Sequence, residues 1–282
     1  MTSSNRCMKL KHVRGLTLIE LMIALMMSSI LIAALYRVFI SQQKTYAVQE
    51  QVVDMQQNVR VGINRMMGEI RMAGFGNVGD VLGLVGGVNG FTQTITPGPN
   101  TITIVGGFKQ IRRDNGDPIF ISSASGNTIT LNYATDEFDR PAHRFISIGG
   151  VESGTVLQRN VRVLTLSSNL KFNHDPLKGP IPIFKIQAIT YTTGLSEGKP
   201  ALRRDENTGG GPQPLADNIE NIQLEYLDTQ GNPTVTPANI RMVKVTVNAR
   251  TDMSDLQFKG GDGYRRRQIA SNIYIRNMGL SP

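Results

Sequence analysis

The sequence predicts an α+β fold: one long N-terminal α-helix, membrane-spanning in its first half and amphipathic in its second, packed on a mostly antiparallel, β-rich globular head. Three observations carry that expectation. No proline occurs before Pro97, so a helix can run through the first quarter of the chain without a lost backbone donor. Within that stretch an all-apolar run gives way to an apolar stripe at helical spacing. Beyond Asn77 the pattern changes to short β-type runs separated by Gly, Pro, Asn and Asp.

The first element is a basic leader. Residues 1–15 hold Arg6, Lys9, Lys11 and Arg14 and no acid, half of the chain's formal net charge of +8. Placed before an apolar run, this is the pattern that keeps an N-terminus cytoplasmic and that begins a targeting signal. The rest of the chain is close to balanced. A dense basic face for nucleic acid is lacking; the exception, Arg265-Arg266-Arg267, follows Gly260-Gly261-Asp262-Gly263 and reads as a solvated loop.

The second element is the run from Leu16 to Ile40. From Leu21 to Tyr36, 14 of 16 residues are apolar, Ser28 and Ser29 being the exceptions. Counted from Leu16 it reaches the roughly 20 residues that cross a bilayer as a helix. Its charged groups are Glu20 near the start and Arg37 near the end. Three processing schemes fit: cleavage after the apolar core near Ala33-Ala34, an uncleaved signal anchor with Glu20 snorkelling to the interface, or cleavage before the core at Gly15–Leu16. In the last, a new α-amino group lies four residues before Glu20. A carboxylate in hydrocarbon costs several kcal/mol, from roughly 2.5–3.5 on insertion scales, unless it is partnered. Glu20 of one subunit meeting the Leu16 amine of the next would partner it and set the axial register of parallel helices.

Gly15-Leu16-Thr17-Leu18-Ile19-Glu20, after a short basic leader and before an apolar helix, resembles the class III signal of type IV prepilins. Gly15 and Glu20 match that signal position for position; Leu16 stands where the family usually has phenylalanine. The resemblance implies a pilin-like fold, cleavage between Gly15 and Leu16 by the prepilin peptidase, N-methylation of Leu16 and a register role for Glu20. It implies domains at 1–15 (cleaved leader), 16–75 (long helix, with 16–40 as transmembrane segment or filament core) and 76–282 (periplasmic head). Cleavage would remove Cys7, the single cysteine, and His12. The head then rests on packing without a disulfide.

Past Arg37 the third element begins. Val48, Val52, Met55, Val59, Ile63, Met66, Ile70 and Ala73 follow one another at steps of three and four, the spacing of one helix face. Met55 and Met66 read as head core. Gly62 and Gly68 each read as a tolerated helical glycine costing up to ~1 kcal/mol. Gly74-Phe75-Gly76 ends the helix, since glycine suits the left-handed position after a helix. The whole, 16–73, would span about 87 Å.

In the head, strands are expected at 101–105, 119–122, 128–133, 155–166 with a break near Asn160, 183–192, 222–227, 241–249 and 269–276, with glycine-rich loops at 83–90 and 209–211. Three head segments resemble the PilW-type minor pilins, with a kindred pattern in the J-type minor pseudopilins of type II secretion. They are Arg71-Met72-Ala73-Gly74, Leu215-Ala216-Asp217-Asn218-Ile219-Glu220 and Ile275-Arg276-Asn277.

Motifs of catalysis are missing. His143 and His174, the histidines left after cleavage, adjoin no nucleophile elbow, and neither a phosphate loop nor a dinucleotide fingerprint is present. Asp114-Asn115-Gly116-Asp117 and Asp136-Glu137-Asp139 lack the spaced ligands and closing glutamate of a calcium loop and read as solvated turns. No catalytic residue, metal or cofactor is therefore expected. The resemblance implies a structural subunit in the inner membrane, N-terminus cytoplasmic and head periplasmic, later in a pilus at its base or tip. There it would help prime assembly and support twitching motility, adhesion or DNA uptake. Implied partners are the prepilin peptidase, other minor pilins, the major pilin, the inner-membrane assembly platform and a tip adhesin. A secretion pseudopilin, or a signal-anchored periplasmic binding module or enzyme, stand as alternatives.

Overall fold

A computed structural model of the chain describes residues 17–255, 258 and 261–278. Helix α1 (Leu18–Arg71) takes up the proline-free segment. The chain divides into two compact units, 1–50 and 51–282, so the division falls inside α1. In the first unit, the large apolar side chains from Leu18 to Phe39 are all more than half exposed. The helix is long and apolar enough to cross a membrane, with a mean hydropathy of 2.4 over its most apolar window.

In the second unit the expected stripe is buried: Met55, Val59, Ile63, Met66 and Ile70 lie at 5% exposure or less. Arg71 ends α1, and Gly74 then adopts a left-handed φ of +81°. A short helix α2 (Gly79–Leu82) follows. Thirteen strands are then seen among the described residues: β1 (Ile95–Pro97), β2 (Thr101–Gln110), β3 (Ile121–Ser125), β4 (Thr128–Leu131), β5 (Phe145–Ile148), β6 (Glu152–Asn160), β7 (Val163–Leu166), β8 (Ile183–Ser196), β9 (Lys199–Asp205), β10 (Gln213–Asp217), β11 (Ile219–Leu227), β12 (Met242–Arg250) and β13 (Arg266–Tyr274).

The larger sheet runs β1-β2-β8-β5-β6-β7-β4-β3, with β9 also on β8 and β10 on β9. The smaller runs β11-β12-β13. Every strand pairing is antiparallel. The architecture is therefore α+β. Strand β12 shows the cause of its own placement: Val243, Val245, Val247 and Ala249 alternate inward with half-buried residues between them, the period-two pattern of a sheet with one face on a core. The helix stripe meets Ile104, Ile189 and Tyr191 of the larger sheet and Ile222, Val245 and Ile273 of the smaller one in a single core. Each fully buried side chain of this size contributes about 2 kcal/mol, which is what holds the second half of α1 to the sheets.

The structure departs from the expectations at several places. Strands β1, β5, β9 and β10 were not expected, and α1 ends two residues early. The run 119–122 becomes strand only from Ile121. The break near Asn160 is present, at Val161 with φ +53°. Arg265-Arg266-Arg267 is solvated as expected but is only partly loop, Arg265 preceding the strand. Arg266 opens β13 and is clamped by Glu220 at 2.8 Å and Asp262 at 2.6 Å, while Arg265 pairs with Asp255 at 2.9 Å. Arg266 and Arg267 are therefore strand, and two of the three guanidiniums carry carboxylate partners.

Candidate functional site

Gly15 and Leu16, the expected cleavage and methylation positions, lie outside the described residues. The first described residue is Thr17, and it bears directly on Glu20. The Thr17 backbone N–H and hydroxyl both donate to Glu20 Oε2, at 2.8 and 2.9 Å, and the Glu20 N–H donates back to Thr17 Oγ1 at 3.3 Å. This is a reciprocal capping box, which satisfies free donors in the first turn of a helix. The signal for it, Thr17-x-x-Glu20, stands in the sequence. Glu20 thus has partners within its own chain, and these occupy one carboxylate oxygen; Oε1 has none among the described residues.

Farther along, Ser29 Oγ donates to Met26 O at 2.8 Å and Thr45 Oγ1 to Ser41 O at 3.0 Å. Both hydroxyls bond back to carbonyls of their own helix, three and four residues earlier.

The second unit positions the rest of α1 by a different device. Glu69 Oε2 accepts from the Tyr191 hydroxyl at 2.5 Å and from Arg204 Nε at 3.0 Å, and Arg204 Nη1 continues to Glu206 at 2.7 Å. Burial, followed by the Glu69 charge, pushes the Tyr191 hydroxyl well above the ordinary tyrosine range. Burial works against the Arg204 charge, but its hydrogen bonds to Glu69 and Glu206 outweigh it and hold the guanidinium protonated. The helix also approaches the sheet closely at Gly62: a Cβ there would lie 2.7 Å from Ala216 Cβ of β10.

The three head motifs converge on this seat. Ala216 of the second motif faces Gly62. The Arg276 N–H of the third donates to Arg71 O of the first at 3.2 Å. Asn277 O lies 3.1 Å from where a Gly74 Cβ would be. The first and third motifs therefore form one junction at the C-terminal end of α1, while the second packs against the helix at Gly62, nine residues earlier.

The remaining candidates fall elsewhere. Asp136 and Asp139 pair with Arg159, and Glu137 with Lys109 and Lys185. Glu137 resists protonation because those lysines outweigh its burial. Asp114–Asp117 form a turn closed by Arg113 N to Asp117 O at 2.8 Å. No cluster of three metal-ligating side chains is seen among the described residues. His143 is pushed below the ordinary histidine range by burial, then by nearby Lys185 and Arg140. His174 is buried against Glu152, Nε2 to Oε2 at 2.8 Å, a pair 22 residues apart that no spacing rule in the sequence marks.

Residues 10–36 match the family model described as the prokaryotic N-terminal methylation motif. The match covers Gly15, Leu16, Glu20 and the start of the apolar helix. It supports a type IV pilin-like prepilin signal, and with it a pilin-like or pseudopilin protein held by a single membrane-anchored helix. No curated protein and no solved structure matches the chain.

Proposed function

We propose that this chain is a minor pilin of the PilW type, a non-enzymatic structural subunit that helps prime assembly of a type IV pilus and takes a place at its base or tip. The observation that supports the reading most is the methylation motif set directly on an apolar helix with exposed side chains all round. Such a surface has two suitable surroundings, lipid and the apolar helices of other subunits. The prepilin peptidase cuts between Gly15 and Leu16, and the new amine is methylated. The subunit then moves from the inner membrane, head in the periplasm, into a complex with other minor pilins, the major pilin and the assembly platform. Glu20 sets register: Thr17 fixes the side chain on the helix end through Oε2, and Oε1 is offered to the Leu16 amine of a neighbour. The fibre so primed serves twitching motility, adhesion or DNA uptake, in concert with a tip adhesin.

Intact mass of membrane-extracted protein tests the first step. The expected species lacks residues 1–15 and carries one methyl group; retention of the leader overturns the reading, because the amine would not exist. Glu20→Ala is expected to be processed normally yet to be lost from pull-downs of partner pilins, with reduced piliation. A deletion strain with full piliation and a defect in protein secretion would instead place the chain in a secretion pseudopilus.

A further inference from the structure

Between the turn after α1 and the loop that precedes β8 lies a cavity of about 740 Å³. Phe75, Val78, Val151, Phe172 and Met278 give it apolar walls, and none of the described residues that line it carries an Asp, Glu, Lys or Arg side chain. The walls are fixed in place. Phe75 packs edge-on against Phe184 with ring centroids 5.0 Å apart. Asn77 Nδ2 donates to Val151 O at 3.0 Å, and Ser153 Oγ donates to Asn77 O at 2.6 Å.

One polar side chain in the lining stands out. The His174 side chain is 5% exposed, as is that of Glu152, and His174 borders the cavity. Glu152 also accepts from the backbone N–H groups of Lys171 at 2.6 Å and Phe172 at 3.4 Å. Glu152 engages Nε2, and no described residue supplies Nδ1 with a hydrogen-bond partner. The same contacts pin the 171–174 segment, which brings Phe172 to the cavity wall.

We propose that this cavity is a binding site for a neutral, mainly apolar small molecule, ring-bearing or branched, that carries one hydroxyl group and makes a hydrogen bond with His174 Nδ1. The size lies within the range of small-molecule sites. The lack of lining charge disfavours an ionised ligand, which would lose its hydration without a counter-charge. A ring nitrogen that the chain leaves unpartnered at an apolar wall favours a ligand with one polar hydrogen-bonding group over a purely apolar one. The site is independent of the filament reading, since none of its residues belongs to α1.

Gly79 gives the means of testing it. Gly79 lines the cavity, its φ lies outside the left-handed region, and a Cβ there would meet nothing within 4 Å. Gly79→Leu should therefore set a bulky apolar side chain at the cavity lining without backbone strain, and Val151→Asp, at a half-exposed wall residue, is a second block. The full chain in lipid nanodiscs, labelled at histidine ring nitrogens, is titrated with 4-fluorophenol and separately with fluorobenzene. The His174 resonance should move saturably while His143 stays still, and 4-fluorophenol should bind about fivefold more tightly than fluorobenzene, the worth of one hydrogen bond. Both variants should abolish the shift, and lipid partition, common to all samples, cancels. A His174 signal that does not saturate, equal affinity for the two probes, or an unchanged shift in both variants overturns the proposal. Piliation plays no part in the readout, so failure here leaves the assembly reading as it was.

Discussion

Helix α1 carries the same kind of side chain in two opposite settings. From Leu18 to Phe39 its large apolar residues are exposed on every side; from Met55 to Ile70 an apolar stripe is buried and the other faces are polar. Each half also carries one informative acid. Glu20 is satisfied by Thr17, three residues away. Glu69 is satisfied by Tyr191 and Arg204, separated from it by 122 and 135 residues. The difference is one of reach. Thr17, Ser29 and Thr45 bond within a turn of their own helix, whereas Glu69 bonds to residues far along the head.

The largest test of that contrast is Glu69→Ala. It strands the fully buried Tyr191 hydroxyl and takes one carboxylate from the mostly buried Arg204. Removing one partner of a buried, hydrogen-bonded ion pair costs about 3 kcal/mol or more. Thermal melting of the head should fall by several degrees. Glu20→Ala, made in parallel, should leave that melting unchanged. Equal effects of the two variants would break the division between the halves.

Next in size come the two glycines of the second half. Gly62→Val drives a side chain into Ala216 and Leu202 and should cost about 2 kcal/mol by overpacking. Gly68 has nothing within 4 Å of a Cβ, so Gly68→Ala should stabilise by up to about 1 kcal/mol through helix propensity. Denaturant midpoints of the two variants should therefore move in opposite directions. A shift of the same sign would mean that the close approach at Gly62 is not what holds α1 against β10.

This pair shows what the sequence does and does not disclose. Helix periodicity is local, so the stripe Met55, Val59, Ile63, Met66 and Ile70 can be read from spacing alone and is the stripe found buried. The two glycines look alike in that reading, because Ala216 lies 154 positions beyond Gly62. Strand β9, with Lys199, Arg203, Arg204 and Asp205, resembles a charged loop until Glu69 and Glu206 supply partners for Arg204. The Arg265–Arg267 triplet gains its counter-charges in the same way, from Asp255, Asp262 and Glu220. The capping box at Thr17 and Glu20 was legible from spacing; weighing Glu20 only against lipid hid its local partner. The His174–Glu152 pair has no such signal, since it forms through a loop whose path is set by tertiary packing.

The smallest effect is confined to alkaline solution, and its sign follows from the buried phenols of the second half. Tyr191 is pushed above the ordinary tyrosine range by burial beside Glu69, and burial pushes Tyr226 up to about 12, against the opposing hydrogen-bond contact with Gly98. A folded-state value raised above the unfolded value of about 10 means that the fold binds the proton more tightly. The associated stability is fully present below pH 10 and is lost as pH rises from 10 towards 12. Denaturant unfolding of the head across that window should show a falling midpoint, with a shallower fall in Tyr191→Phe because one of the two groups no longer titrates. An identical slope in wild type and variant would mean that the Tyr191 hydroxyl gains water in the folded head, which is incompatible with Glu69 being closed off inside it.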